Sequence, residues 1–147
     1  MEYNLDNTIN HRIATLAILL KRQVYRIIAE NNLKVTPEQW VIMYYLWKEN
    51  GLSIGEIAAK SKKDFGNVTR IIDKLEKLEY VNKRKNDKDS RIINIYLLPK
   101  GEDIKKPITK CWEKSTNISL KGINDSEQEF LLNILNKIEN NILENLE

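Results

Sequence analysis

Cysteine and histidine are nearly absent from this sequence: Cys111 and His11 are the only ones among 147 residues. A single cysteine excludes an intrachain disulfide and fits a reducing, cytoplasmic compartment. One cysteine and one histidine cannot build a tetrahedral Cys/His zinc site within one chain, so neither a metal nor another cofactor is expected. Glycine is scarce, with five residues, and none of them opens a phosphate-cradling loop. No apolar run approaches the roughly 18 residues of a membrane span. The opening MEYNLDNTINH has neither the basic nor the continuous apolar region of a signal peptide. No nucleophile–base pair is recognisable, so an enzyme is not expected.

Charge, by contrast, is plentiful and unevenly placed. Between Lys60 and Arg91 eleven basic residues face six acidic ones, whereas Ile123 to Glu147 holds six acids and only Lys137. A basic middle and an acidic tail suggest one surface for a polyanion and another for a different task.

Hydrophobic periodicity orders the chain into packed elements without repeats or linkers. Leu5, Ile9, Ile13, Leu16, Leu20, Val24, Ile27 and Ile28 recur at helical spacing and predict a long amphipathic helix over residues 5–30. Thr36, Pro37 and Gln39 then spell a capped helix start. The helix that follows is apolar on most sides and is expected to be central, with Trp40, Tyr44, Tyr45, Trp47 and the later Trp112 mostly in the core. Ser53 and Glu56 form a second capping box, and Asp64 caps a helix with Val68, Ile71, Ile72 and Leu75 on one face. Gly66, Arg70, Asp73, Lys74 and Lys77 lie opposite, with Asn67 and Thr69 at the edges. A short helix, a tight turn and a helix with a basic outer stripe is the helix-turn-helix pattern.

Two period-two segments follow, from Val81 and to Leu97, around the charged tip NDKDSR. They predict a β-hairpin, and a hairpin directly after a helix-turn-helix is a wing. The expected fold is therefore mainly α with a small β-hairpin wing. Beyond Pro99 the helical period returns, with Pro107 kinking or restarting it. Asp125 is the expected cap of a last helix carrying Phe130, Leu131, Ile134, Leu135, Ile138, Ile142 and Leu146. A small winged helix does not need that stripe for its own core, which favours dimerisation.

In this element order, and in VTRIIDKLEKLEYVNKRKNDKDSRIINIYLLPKG, the chain closely resembles the MarR family of bacterial transcriptional regulators. That family's recognition helix reads V-T-R-x-[IV]-D-x-L-E, matched by Val68, Thr69, Arg70, Asp73, Leu75 and Glu76. Its wing reads D-x-x-x-R, an apolar strand and L-T-x-x-G, matched by Asp87, Arg91, Leu97 and Gly101. Leu98 departs from the pattern, standing where a helix-capping Thr is usual. The resemblance implies a single domain over residues 1–147, with a DNA-binding core at 35–98 and dimerisation helices at 1–31 and 99–147. It further implies a homodimer that binds double-stranded DNA, with the recognition helix in a major groove and the wing in the flanking minor groove. Repression, relieved by a small and often aromatic anion, is the usual outcome.

Arg70 and Lys74 are then expected at the DNA, with Asn67 and Thr69 beside them. Gly66 would let the backbone approach closely. Lys62 and Lys63 would meet phosphates, and Lys88 and Arg91 would work from the wing. The acids beside Arg91 look out of place against a polyanion, but a carboxylate can hold an Arg fork in one orientation. Asp87, the family's wing acid, is assigned that role, and Asp89 a turn-shaping one. Trp40, Tyr44, Trp47 and Trp112 are candidates for an effector pocket. Cys111, on an apolar face beside Trp112, reads as a buried inert thiol. The alternative to a DNA-binding regulator is a winged helix used for protein contacts.

Overall fold

The computed structural model describes residues 4–146. In chain order it contains α1 (Ile9–Glu30), α2 (Pro37–Lys48), α3 (Ile54–Ser61), α4 (Phe65–Lys77), β1 (Val81–Lys85), β2 (Ile93–Leu97), α5 (Pro99–Asp103), α6 (Lys105–Ser119) and α7 (Asp125–Leu146). Two compact units divide the chain, one reaching to Ser115 and the other beginning at Thr116.

The first helix starts later than its apolar period suggests. Residues Leu5–Asn7 form a 3-10 turn, and the Thr8 hydroxyl accepts the His11 N–H to open α1 at Ile9. Both expected capping boxes are present, Thr36 with Gln39 and Ser53 with Glu56, so α2 and α3 begin where the sequence places them. Glu38, in the first turn of α2, accepts the Tyr25 O–H at 3.0 Å and pairs with Lys21, tying α1 to α2.

The core sits around α2. Ile42, Met43 and Leu46 are fully buried, together with Ile57, Ile72, Leu75, Val81 and Ile95 from the surrounding elements. Three aromatic residues of α2, Trp40, Tyr45 and Trp47, pack against this cluster from its margin, and the expectation of a core position fails for Tyr44 and Trp112. Trp40, Tyr45 and Trp47 are half-buried, Tyr44 is exposed, and Trp112 on α6 is exposed too. Ile42, Met43 and Leu46 take the buried face of α2, and the larger rings stand at its margin.

β1 and β2 pair antiparallel with Val81 opposite Leu97 and Lys85 opposite Ile93. Gly51, at φ +86°, turns the chain after α2 so that its N–H reaches Ile95 O at 2.9 Å, while Ile95 N–H donates to Leu52 O at 2.8 Å. The wing is thereby stitched to the helix-turn-helix along its second strand. A side chain at Gly51 would also meet the Tyr96 ring at 2.9 Å.

Leu98 leaves α5 without a side-chain cap, as its sequence implies. Pro99 at the first helical position compensates in part, since its fixed φ suits a helix start. The helical register breaks at Ile104, and Pro107 becomes the third residue of α6, where a missing N–H costs nothing. Gly101 is required by packing: a Cβ there would lie 2.1 Å from the Tyr80 carbonyl oxygen. In the second unit Asn124, rather than Asp125, caps α7, its side chain accepting the Glu127 N–H at 2.9 Å. Asp125 is the first helical residue, where its charge still favours the helix N-terminus.

Candidate nucleic-acid interface

α3 ends at Lys62, which adopts the left-handed conformation at φ 58° and so makes the tight turn. Two residues on, the Asp64 carboxylate accepts the Asn67 N–H at 2.7 Å and starts α4. Val68, Ile71, Ile72 and Leu75 of α4 are buried, which fixes the opposite face outward. That face carries Gly66, Arg70, Lys74 and Lys77, all exposed, with Asn67, Thr69 and Asp73 half-buried at its margins. Lys62 is exposed and Lys63 half-buried at the turn.

Three details refine what this face can offer. Arg70 reaches back along the helix, placing a guanidinium nitrogen 3.6 Å from where a Cβ on Gly66 would sit. Neither Arg70 nor Lys74 pairs with a carboxylate among the described residues, so both keep their charge free for a partner. Thr69 donates its hydroxyl proton to Phe65 O at 2.9 Å, leaving it a hydrogen-bond acceptor and a methyl group.

The wing is braced against α4 by Lys83. Its ammonium meets Asp73 at 2.6 Å and Glu76 at 3.6 Å, and its backbone N–H donates to Glu76 at 3.2 Å. The Asp73 carboxylate, with Glu76 behind it, raises the Lys83 pKa against the opposing effect of burial. Asp73, at the margin of the outer face, and Glu76 beside it are thus paired with Lys83, and the face keeps Arg70 and Lys74 without an acid partner among the described residues. On the other side of the hairpin Arg84 stacks on the Tyr96 ring, 4.5 Å from its centroid.

At the tip, Asn86 accepts the N–H groups of Lys88 and Asp89 and donates its own amide to Asn94. Lys88 is exposed there. The Arg91 fork does not rest on Asp87. It is held by Asp89, Nε to Oδ1 at 3.0 Å and Nη2 to Oδ2 at 3.0 Å, and Asp89 also accepts the Arg91 N–H at 3.0 Å. Asp87 is exposed and makes no such pair. Proximity explains the correction: with only Ser90 between acceptor and donor, one carboxylate can shape the turn and orient the fork together. The pair pushes the Asp89 carboxyl below its usual range and the Arg91 guanidinium above its own.

A separate aromatic cleft opens between α2 and α6. Trp40 and Trp112 stack at 4.7 Å and 21° as one wall, and Tyr44, Tyr45 and Thr109 complete a space of about 400 Å³. An adjoining hollow of about 230 Å³ adds Trp47, Lys48 and Lys105. All four aromatic residues expected at an effector pocket therefore line neighbouring hollows. Trp47 is anchored by donating its indole N–H to Gly101 O at 2.9 Å, whereas the buried Trp40 N–H has no acceptor.

Cys111 is buried, and burial raises its thiol pKa despite nearby Lys114. No cluster of metal-ligating side chains occurs among the described residues, nor is any of their helices long and apolar enough to cross a membrane.

Sequence reasoning missed the exposure of the Phe65 ring, the hydrogen bonds of Asn86 and the part of Asp89 that orients the guanidinium. The signal for Phe65 was available: a large aromatic directly after the cap residue Asp64, on the first turn of α4. The Asp89 pairing depends on the conformation of the tip, which spacing alone leaves open.

The MarR family model matches residues 35–93, the segment from the start of α2 to the wing. The uncharacterized HTH-type transcriptional regulator YsmB of Bacillus subtilis is 31% identical over 111 residues, covering 75% of this chain and 72% of that protein. Among solved structures, Bordetella bronchiseptica BpsR, described with regulation of its DNA binding by 6-hydroxynicotinic acid, superposes with TM-score 0.86 at 18% identity. That match covers 95% of this chain and 98% of BpsR. Streptomyces coelicolor PcaV, solved with its natural ligand, gives TM-score 0.86 at 13% identity over 95% of this chain and 97% of its own. With its helix-turn-helix, its wing and these relatives, the chain belongs to the MarR family of winged helix-turn-helix transcriptional regulators.

Proposed function

We propose that the protein is a homodimeric repressor that binds a palindromic operator and releases it when a small aromatic anion occupies the cleft between α2 and α6. The observation that carries the DNA contact is the outer face of α4, where Arg70 and Lys74 stand unpaired while the acid Asp73 is taken up by Lys83. Arg70, Lys74, Asn67 and Thr69 enter the major groove, and Gly66 admits the backbone. Lys62 and Lys63 hold phosphates, giving affinity without sequence information. Arg91, held by Asp89, enters the minor groove with Lys88 beside it.

Apolar exposure supports the dimer. α7 has no buried residue, and Phe130 and Leu131 are 69% and 47% exposed. Ile9, Leu16 and Leu20 on α1 are likewise open. Apolar surface on this scale needs cover, and a second copy supplies it with the two-fold symmetry a palindrome mirrors. Sedimentation should find a dimer, and deletion from Asp125 onward should leave a monomeric or aggregated chain. An intact dimer after that deletion contradicts the role given to α7.

Effector binding draws on the cleft and on the chain's likeness in fold to BpsR, described with regulation of its DNA binding by 6-hydroxynicotinic acid. Flat ring walls suit an aromatic ligand, and Lys48 and Lys105 suit its negative charge. A thermal-shift series of aromatic acids, run on wild type and Trp40→Ala, tests this: stabilisation should appear in the first and vanish in the second. For the DNA itself, the full chain should retard a duplex carrying its own promoter region at low salt. Absence of any retardation sinks the proposal.

A further inference from the structure

Phe65 is the first residue of α4 and is 60% exposed, an unusual place for a large aromatic ring. It is absent from the core and from the residues packed against it. Helix geometry puts it four residues before Thr69, on the same edge of α4. That edge has little left to donate, because the Thr69 hydroxyl already bonds to Phe65 O at 2.9 Å. The edge that leads the helix therefore offers a ring and a threonine methyl, with Gly66 and the returned Arg70 head beside it. Arg70 and Lys74 put hydrogen-bond donors on the outer face, and beside the Arg70 head the exposed Phe65 ring is its large apolar group.

The major groove contains one apolar feature that differs between bases, the 5-methyl group of thymine. Residues at the N-terminal end of a recognition helix are the ones that reach base edges. From these we propose that Phe65 is a specificity-determining residue that reads a thymine methyl in each operator half-site. The inference rests on the DNA-binding reading of α4 and adds to it a base preference at one position.

Burial of one methyl accounts for about a fourfold change in binding, so its removal should be measurable. The full-length chain is first used to enrich a duplex from a random-sequence pool. Each thymine of that duplex is then replaced by uracil, which removes only the methyl group and leaves pairing intact. At one position per half-site the substitution should weaken wild-type binding about fourfold, and the Phe65→Ala chain should bind both duplexes equally. Thermal melting of Phe65→Ala should match wild type, since the side chain packs on nothing in the core. An enriched duplex indifferent to every thymine methyl overturns the inference alone. Equal uracil sensitivity in wild type and Phe65→Ala also overturns it, assigning the methyl to another residue such as Thr69. A pool that never enriches removes the DNA-binding reading and this inference with it.

Discussion

Arg91 and Asp89 form a two-point fork at the tip of the wing, with both N–H···O distances at 3.0 Å, while the Arg91 side chain remains 89% exposed. An exposed pair of this kind contributes little to folding. Its value lies in orientation: the guanidinium is held in one pose before any partner arrives, which lowers the entropy lost on binding. Arg91→Ala should weaken binding to an operator duplex roughly five- to a hundredfold, the range of a single specific groove contact. Asp89→Asn keeps an acceptor for the turn but loses the charged fork, so a smaller loss is expected. Asp87→Asn should leave affinity unchanged or slightly improved. Fluorescence anisotropy on the three variants checks the order, and a larger effect at Asp87 than at Asp89 would restore the role the sequence gave to Asp87.

Gly66 offers a case where stability and binding part company. Its nearest side-chain atoms would lie 3.5 and 3.6 Å from an added Cβ, so the protein has room for one. Gly66→Ala should therefore raise stability, by up to about 1 kcal/mol, through helix propensity. In the proposed DNA-bound pose the same methyl would stand where the DNA backbone or bases approach, so affinity should fall. Thermal melting and duplex titration on one preparation separate the two effects. Unchanged affinity would mean that α4 does not approach DNA closely at this point.

Gly101 is the opposite case. Its missing side chain lets α5 pack on the Tyr80 carbonyl, which also accepts the Leu98 N–H at 2.9 Å. Gly101→Ala must push the two apart, at a cost of about 1–3 kcal/mol typical of overpacking. Urea denaturation should show a lower midpoint with an unchanged slope. The indole bond from Trp47 to Gly101 O should be disturbed as well, visible as a shift in tryptophan emission.

Cys111 should be silent. Burial raises its pKa, so at pH 8 the reactive thiolate is scarcer than in an ordinary thiol and increases only as pH climbs through the raised value. Alkylation by iodoacetamide should be slow in the folded protein and become ordinary in denaturant. Peroxide at concentrations that oxidise free thiols should leave DNA binding unchanged, and a peroxide-dependent loss that Cys111→Ser abolishes would identify a redox switch instead.

Much of this architecture is legible in the residues. Capping boxes at Thr36 and Ser53, the four-residue stripe of α4 and the alternation around NDKDSR lead directly to the observed helices and hairpin. These are local signals, each a matter of hydrogen bonds or faces within one element. What escaped the sequence depends on how elements meet. Trp40 and Trp112 are apolar by composition, yet they end as a half-open wall because Ile42, Met43 and Leu46 occupy the buried face of α2 and Ile108 and Cys111 that of α6. The Asp89–Arg91 pairing follows from a tip conformation that Asn86 organises, and the choice between two acids two residues apart is invisible to spacing. The resemblance supplied Gly101 as a motif letter, and the 2.1 Å approach of the Tyr80 carbonyl supplies its reason.

In the proposed function α4 and the wing form one basic surface for duplex DNA. The affinity of the full chain for an enriched duplex as a function of salt tests that surface most directly. Contacts from Arg70, Lys74, Arg91 and the turn lysines in both halves of a dimer should make log K fall linearly with log[salt], with slope about −0.9 per phosphate neutralised. Arg70→Ala together with Lys74→Ala should flatten that slope. Binding that is weak, indifferent to salt, or unchanged in slope by the two substitutions would contradict the account.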